Sequence, residues 1–339
     1  MTMRDKTVTV FGGSGFIGRH LVQRLVATDA IVRIAVRDTE GANYMRLMGD
    51  VGQIVPIATD IGDEYSVASA IKGADSVVNL VGLLYEGGKQ NFKRVHASGA
   101  AHIATAAAAA GVRKLVQLSA IGADPGSSSA YARTKATGEY NVKGAFPGAT
   151  VIRPSIVFGP EDNFFNLFAG ISRLSPIIPV FGCPLFPKVT IFSDKGPVNL
   201  DFYGNGGTKF QPVYVGDVAD AIIAALENDD ANGKTYELGG PTVYTSKELM
   251  ELLLNTIGRK RFLAPVPFWY LEFIAAFLEL LPNPWLTRDQ VKLLRFDNVV
   301  SRRANKLKDL GISATAPEAI LPNYLARFMR PHGEVYRTS

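Results

Sequence analysis

Residues 8–18 read Val8-Thr9-Val10-Phe11-Gly12-Gly13-Ser14-Gly15-Phe16-Ile17-Gly18, an apolar run that breaks into glycines and then into an amphipathic pattern. No other stretch restricts the fold as much. A strand must end at Gly12, and a helix must begin near Phe16, because Phe16, Leu21, Leu25 and Ile17, Val22 share one helical face. Gly12 permits the tight turn, Gly15 lets a bound group approach the backbone, and Gly18 lets helix and strand lie close. The helix start offers unpaired N–H groups and the positive end of a dipole, which suit a diphosphate. The spacing parses as GxxGxxG or as GxGxxG.

The chain then alternates. Val8–Phe11, Ile31–Val36, Ile54–Ala58, Ser76–Val81, Leu115–Ser119 and Thr150–Ile152 read as strands, apolar on both faces as in a parallel sheet covered on both sides. Helical patterns lie between them, including Val67–Ile71 and the alanine-rich 97–110, which stops at Gly111. This order predicts an α/β fold, a Rossmann-type doubly wound parallel sheet with right-handed crossovers. After Gly159-Pro160 the periodicity fades. We expect residues 1–160, with 212–240 returning to them, to form the dinucleotide-binding domain, and 161–211 with 241–339 to form a smaller, interleaved C-terminal lobe. Residues 186–210 read as an inserted hairpin or loop, with Lys188–Phe192 as its best strand. Later, 217–226 and 247–257 read as helices, the second capped by Thr245 or Ser246, and 236–238 as a strand.

The cofactor preference turns on Arg37, 19 residues beyond Gly18 at the end of the second strand. An acidic residue there bonds the ribose hydroxyls of NAD; an arginine suits the 2′-phosphate of NADP. Asp38 follows and keeps NAD open as the lesser alternative. Asp60 and Ile61 end the third strand, where they either hold adenine or form a turn. Asn79 and Gly82 end the fourth and would line the middle of the cofactor.

Tyr131 and Lys135 form YxxxK, followed by Glu139. At i and i+4 the first two share a helix face. A tyrosine of pKa ~10 needs a nearby ammonium before it can serve as acid or base at neutral pH. The same ammonium can hold the nicotinamide ribose. A hydroxyl that bonds the substrate carbonyl is also required. Ser119 ends the fifth strand, and two residues on stands Ile121, which has no hydroxyl. Ser119 is then either catalytic or structural, and Ser127, Ser128 and Ser129 either reach in or form a solvated loop. The sequence favours cofactor binding over turnover.

These residues resemble the extended short-chain dehydrogenase/reductases. Ser129–Glu139, Ala145-Phe146-Pro147, Phe158–Phe164, Thr287-Arg288-Asp289-Gln290-Val291 and Asp297-Asn298 make the chain similar, over about residues 5–330, to an atypical branch. That branch is the accessory alpha-subcomplex subunit nine family of respiratory complex I. The resemblance implies a structural NADPH held by Gly12, Gly13, Ser14, Gly15, Phe16, Ile17, Gly18, Arg37, Asp60, Ile61, Val81, Gly82, Ser119, Tyr131, Lys135 and Pro154, with Tyr131 and Lys135 vestigial or cofactor-positioning. It implies other complex I subunits as partners. The place would be the junction of the peripheral and membrane arms, near the quinone site. The chain would sit peripherally on the cytoplasmic face of the bacterial inner membrane or the matrix face of the mitochondrial one. The alternative is a free-standing NADP-dependent reductase or a nucleotide-sugar epimerase/dehydratase.

Composition narrows the rest. One cysteine among 339 residues excludes an intramolecular disulfide and all-cysteine metal sites, and four histidines argue against a metal centre. The net charge of +5 comes without a long Lys/Arg run or a basic-aromatic stripe, so nucleic acid is not an expected partner. The amino terminus carries no signal-peptide pattern, and no window has the ~18 to 20 apolar residues of a span. The run Phe268–Leu278, with Trp285 beyond it, is unusually aromatic. It reads as a membrane-interface or partner-docking helix, or as packing inside its lobe. Basic residues from Arg288 to Lys308 follow it and would meet anionic lipid, an acidic subunit or water.

Overall fold

The computed structural model describes residues 3–88, 90–184, 188–193 and 196–329. Phe186 and Pro187, where the inserted segment was expected to start, lie outside the described residues. The first half runs β1 (Thr7–Phe11), α1 (Phe16–Val26), β2 (Ile31–Val36), β3 (Ile54–Ala58), α2 (Glu64–Ile71), β4 (Ser76–Asn79), α3 (Ala100–Ala109), β5 (Lys114–Leu118), α4 (Ala130–Ala145) and β6 (Thr150–Pro154). Then come β7 (Val157–Phe158), α5 (Phe165–Leu174), β8 (Ile177–Phe181), β9 (Lys188–Ser193), β10 (Gly196–Asp201), β11 (Lys209–Phe210), β12 (Val213–Tyr214) and α6 (Val215–Glu227). The chain finishes with β13 (Thr235–Leu238), β14 (Tyr244–Thr245), α7 (Ser246–Thr256), β15 (Phe262–Val266), α8 (Phe268–Leu278), α9 (Arg288–Leu294) and α10 (Pro317–Leu325).

Seven strands form one parallel sheet in the order β13-β6-β5-β4-β1-β2-β3. The order reverses beside β1, and a crevice opens there at the carboxyl ends of the strands. Both faces are covered, as the two-sided apolar strands require. Leu21, Val22 and Leu25 of α1 pack with Val218, Ile222 and Leu226 of α6 on one face. Ile103, Ala104 and Ala107 of α3 pack with Val67 and Ile71 of α2 on the other. Each fully buried Leu, Ile or Val contributes about 1.5–3 kcal/mol. Thr9, buried within β1, donates its hydroxyl to the Ala70 carbonyl at 3.0 Å.

The expected helix over 97–110 begins earlier than its alanines. A wide π-helical turn over Lys93–Gly99 leads into α3, and Gly111 ends it at φ +68°. The turn pushes the His96 carbonyl toward α4, where a Cβ on Gly138 would come within 2.0 Å of it. Thr245 caps α7 with Glu248 in a reciprocal capping box. Residues 188–193 and 196–201, strands β9 and β10, pair antiparallel.

The second half has its own core, in which Phe158, Phe165 and Phe168 meet Leu249, Leu253, Leu271, Val291 and Leu321. Sequence reading missed α5. Its buried face, Phe165, Phe168, Ala169 and Ser172, does follow helical spacing, but Leu167, Ile171 and Leu174 on other faces blur it. Asp162 starts it by accepting the Phe165 N–H at 2.6 Å.

The α3–α4 contact leads to a paired prediction. Gly138→Ala should destabilise by about 1–3 kcal/mol or more, since a backbone carbonyl cannot yield as a side chain does. Gly144→Ala, on the same helix with open space around it, should be neutral or stabilise by up to about 1 kcal/mol. Thermal denaturation of the two variants reads both signs, and equal melting temperatures would contradict this packing.

Candidate functional site

The crevice is built around the glycine turn. Gly12 sits at φ +77°, and a Cβ there would lie 3.2 Å from the backbone of Leu80 and Val81. Gly18 is buried, and a Cβ on it would come within 2.4 Å of the Gly12 and Gly13 carbonyl oxygens. Gly15 is exposed and precedes α1, which has no side-chain cap. Its first N–H groups, including those of Phe16 and Ile17, therefore point at open space. Helices α2, α4, α7 and α9 all carry a capping side chain. An uncapped, glycine-cradled helix start is the geometry that receives a diphosphate.

At the β2 end, Arg37 is exposed and forms no ion pair among the described residues. The Gln90 side-chain oxygen accepts from its guanidinium, 3.2 Å from Nη2. Asp38 is turned back on its own loop, accepting the Gly41 N–H at 2.9 Å. The aspartate is thus engaged within its own loop, while the exposed arginine side chain meets Gln90. Asp60 accepts the Gly62 N–H at 2.9 Å and pairs with Arg94 at 3.2 Å. It thus forms the turn that sequence reading set beside an adenine-binding role. Ile61 packs at this corner, 2.7 Å from where a Cβ on Gly99 would stand.

Asn79 does not line the crevice. It is 1% exposed, receives the Val81 N–H at 3.0 Å and donates to Gln117 at 2.8 Å. It therefore fixes the backbone from Val81 to Gly82 rather than touching a ligand. Gly82 is exposed, and a Cβ on it would lie 3.2 Å from Lys135 Nζ. Pro154 is buried at the end of β6, its carbonyl accepting the Ile121 N–H at 3.0 Å.

Tyr131 and Lys135 do share a face of α4, with Lys135 Nζ 5.9 Å from the Tyr131 ring centroid. Lys135 is buried and donates to the Leu118 carbonyl at 3.4 Å. Desolvation pulls its pKa down to about 8, against a smaller opposing pull from Glu139. Desolvation pushes the Tyr131 phenol up to about 12, so it stays protonated. Glu139 is engaged elsewhere, in a two-pronged pair with Arg153 at 2.6 and 2.8 Å.

Ser119 is 4% exposed, and its hydroxyl is the one buried side-chain polar atom among the described residues with no hydrogen-bond partner. The structural role considered for it, bonding the strand-end backbone, is not what that hydroxyl does. An orphaned hydroxyl beside a poorly paired ammonium fits a site that receives a polar ligand. The triple serine does not reach in. Ser127 accepts the Ser129 N–H at 3.1 Å, Ser129 caps α4, and Ser128 is exposed.

Two site residues escaped sequence reading. His96 is stacked on Phe92 and edge-on to Tyr131 at 5.2 Å. Its Nε2 accepts the Leu83 N–H at 2.9 Å, and burial with the nearby Lys135 charge lowers its pKa to about 3. It is neutral, and its Nδ1 meets the Thr134 hydroxyl at 3.1 Å. Asp289 arrives from the second lobe and accepts the Tyr131 N–H at 3.0 Å. His96 carries no local pattern that could have announced it, and the Thr287–Val291 stretch of the resemblance contains Asp289 without marking it as a partner of α4.

The described residues contain no group of three or more metal-ligating side chains. Residues 8–239 match the NAD dependent epimerase/dehydratase family. The chain is 35% identical over 316 residues to the mitochondrial NADH dehydrogenase (ubiquinone) 1 alpha subcomplex subunit 9 of Arabidopsis thaliana, covering 90% of this chain and 73% of that one. It is 31% identical over 334 residues to the mitochondrial NADH-ubiquinone oxidoreductase 40 kDa subunit of Neurospora crassa, covering 98% and 80%. Its fold is similar to that of triphenylmethane reductase from Citrobacter sp., with a TM-score of 0.70 at 18% identity, covering 94% and 99% of the two chains. The family's description agrees with a nicotinamide dinucleotide as cofactor. The chain belongs to the NAD dependent epimerase/dehydratase family, on the branch shared with alpha subcomplex subunit 9 of mitochondrial NADH dehydrogenase.

Proposed function

We propose that this chain is an NADPH-binding accessory subunit of the proton-pumping NADH:ubiquinone oxidoreductase. It keeps the nucleotide as a structural element and steadies the junction of peripheral and membrane arms near the quinone site. Its place is peripheral, on the cytoplasmic face of a bacterial inner membrane or the matrix face of a mitochondrial one. The observation that carries this reading is the near-full-length match, at 31% and 35% identity, to subunits of that enzyme.

Residues 12–18 would hold the diphosphate, Arg37 the 2′-phosphate, and Asp60 and Ile61 the adenine edge. Val81, Gly82, Ser119, Tyr131, Lys135 and Pro154 would hold the nicotinamide half. The bound nucleotide would supply a hydride donor, but the chain's own groups are poorly set for turnover. The Tyr131 phenol is firmly protonated, Lys135 sits over its ring, and Ile121 stands where a hydroxyl would orient a substrate. The second reading, a free-standing reductase or epimerase, draws on Tyr131, Lys135 and Ser119 sharing one cleft.

NADPH should copurify at about one per chain and be released by acid denaturation. Arg37→Asp should empty the site or turn its preference to NAD, because a carboxylate repels the 2′-phosphate. NAD alone on the unaltered chain would refute the assignment of Arg37.

Tyr131→Phe should scarcely alter the assembled enzyme, whereas Lys135→Ala should weaken nucleotide retention by about 1.5–3 kcal/mol. Affinity should also depend on pH. The free-site ammonium, with its pKa near 8, is intact below pH 7. Above pH 8 binding an anion requires taking up a proton, so affinity should fall by up to about tenfold per pH unit until the bound-state pKa is reached. The fall should vanish in Lys135→Ala. NADPH turnover with a ketone or sugar nucleotide, lost in Tyr131→Phe, would favour the second reading.

No helix among the described residues is long and apolar enough to cross a membrane. Helix α8 instead presents Trp269, Phe273 and Phe277 on one side, each about 60% exposed, with Trp285 66% exposed beyond it. Phe268 does not belong to this face, being packed on the second core under Arg295. Glu272 and Glu279 pair with Arg295 and Arg288, so part of the basic tail serves α8 rather than an outside partner. We assign the aromatic face to the membrane interface, where amphipathic rings are favoured. Phe273→Glu with Phe277→Glu should release the folded chain from membranes in a flotation assay. Equal retention by that variant would argue against this orientation.

A further inference from the structure

Asp289 lies in the first turn of α9, yet its carboxylate bonds to a different helix. Its Oδ2 accepts from the Ser129 hydroxyl at 2.7 Å and the Tyr131 N–H at 3.0 Å, and its Oδ1 accepts the Ala130 N–H at 2.8 Å. The Ser129 oxygen in turn accepts the Ala132 N–H at 3.3 Å. Two of the N–H groups that open α4 are thus satisfied by one residue of the other lobe, and a third by Ser129, whose hydroxyl that residue holds in place. The carboxylate also faces the positive end of the helix that carries Tyr131 and Lys135.

The same stretch grips the opposite wall of the crevice. Gln290 donates to the Leu84 carbonyl at 3.3 Å, and Asn283 accepts from the Tyr85 hydroxyl at 2.9 Å. Helix α9 is bound to α8 by Arg288–Glu279 and Arg295–Glu272, both at 2.8 Å, and Glu279 also accepts the Arg288 N–H at 2.6 Å. A continuous set of polar contacts therefore runs from α8 through α9 to both walls of the nucleotide crevice.

We infer that Asp289 is a positioning residue for the nucleotide site, and that residues 279–290 couple that site to α8. The inference rests on the nucleotide reading above. Gly82 and Lys135 can meet the same ligand only if the 82–85 backbone and the start of α4 keep a fixed separation, and 283–290 spans that gap. A ligand that steadies both walls steadies 283–290, and linkage makes the effect reciprocal. Three donors converge on Asp289, so an acceptor-only group is needed; an amide would turn a donor toward donors.

Hydrogen exchange on the full chain, with and without NADPH, tests this, with affinity measured on the same samples by NADPH fluorescence. In the unaltered chain NADPH should slow exchange across 268–278 and 288–294 by about threefold or more. Asp289→Ala should weaken NADPH by about tenfold and, at saturating NADPH, abolish the slowing across 268–278. Asp289→Asn should follow it. Glu279→Ala, which removes the Arg288 pair, leaves the Arg295–Glu272 pair in place and leaves the α4 cap intact, should keep the affinity within about twofold and lose a measurable part of that protection. Should Asp289→Ala not fold, Glu279→Ala decides. Full protection of α8 in both folded variants overturns the coupling, as does an unaltered chain that binds NADPH without protecting α8. An unaltered chain that binds no NADPH fails at the fluorescence step, which marks the nucleotide reading as the one at fault and removes the coupling with it.

Discussion

Everything in the first lobe depends on how closely α1 approaches the end of β1. The 2.4 Å that separates a hypothetical Cβ on Gly18 from two carbonyl oxygens leaves room for a hydrogen atom and nothing larger. That constraint sets the tilt of α1, aims its unpaired N–H groups along the crevice, and lets Leu21, Val22 and Leu25 seat against α6. Packing and ligand geometry are here one requirement, because the bare backbone that allows the approach is the backbone that meets the anion.

The nicotinamide end is tuned in the opposite sense. Burial raises the Tyr131 phenol and keeps His96 neutral, while Lys135, lowered to about 8, still carries its charge at neutral pH. Arg37, at the other end, is exposed and forms no ion pair among the described residues. In the proposed reading Arg37 and Lys135 attract the two ends of an anionic ligand, while Tyr131 and His96 stay neutral. Such a division favours long residence over rapid chemistry, where groups must change protonation state.

The parallel sheet was legible in the sequence almost residue by residue. Its strands are buried on both faces, and continuous β-branched runs between glycines have few other readings. The glycine turn, Arg37 and the Tyr131–Lys135 pair were legible for the same reason: each needs a fixed residue type at a fixed spacing. The second lobe was less so. The spacing of Phe165, Phe168 and Ala169 is blurred by Leu167, Ile171 and Leu174 on other faces, and β8 finds its partner β15 some eighty residues away, a pairing that no local pattern encodes. The roles of Asn79, His96 and Asp289 were hidden for a related cause. Each acts through a contact with a distant backbone group, and a single sequence carries no trace of such a pairing.

The interleaving of the lobes has a consequence for biosynthesis. Strand β13 joins the sheet beside β6, but the chain between them first builds much of the second core. Ser155, just past β6, is pinned by Asn298 at 2.6 Å, and Ser129 by Asp289. A nascent chain emerging from the ribosome can therefore bury the α2–α3 face of the sheet early, but neither the α1–α6 face nor the second core closes until nearly the whole polypeptide has been made. The six strands β1 to β6 must wait with one growing edge open, and partners with such long sequence separation pair slowly. Through that interval the exposed edge of β6 is the surface that a chaperone would need to shield.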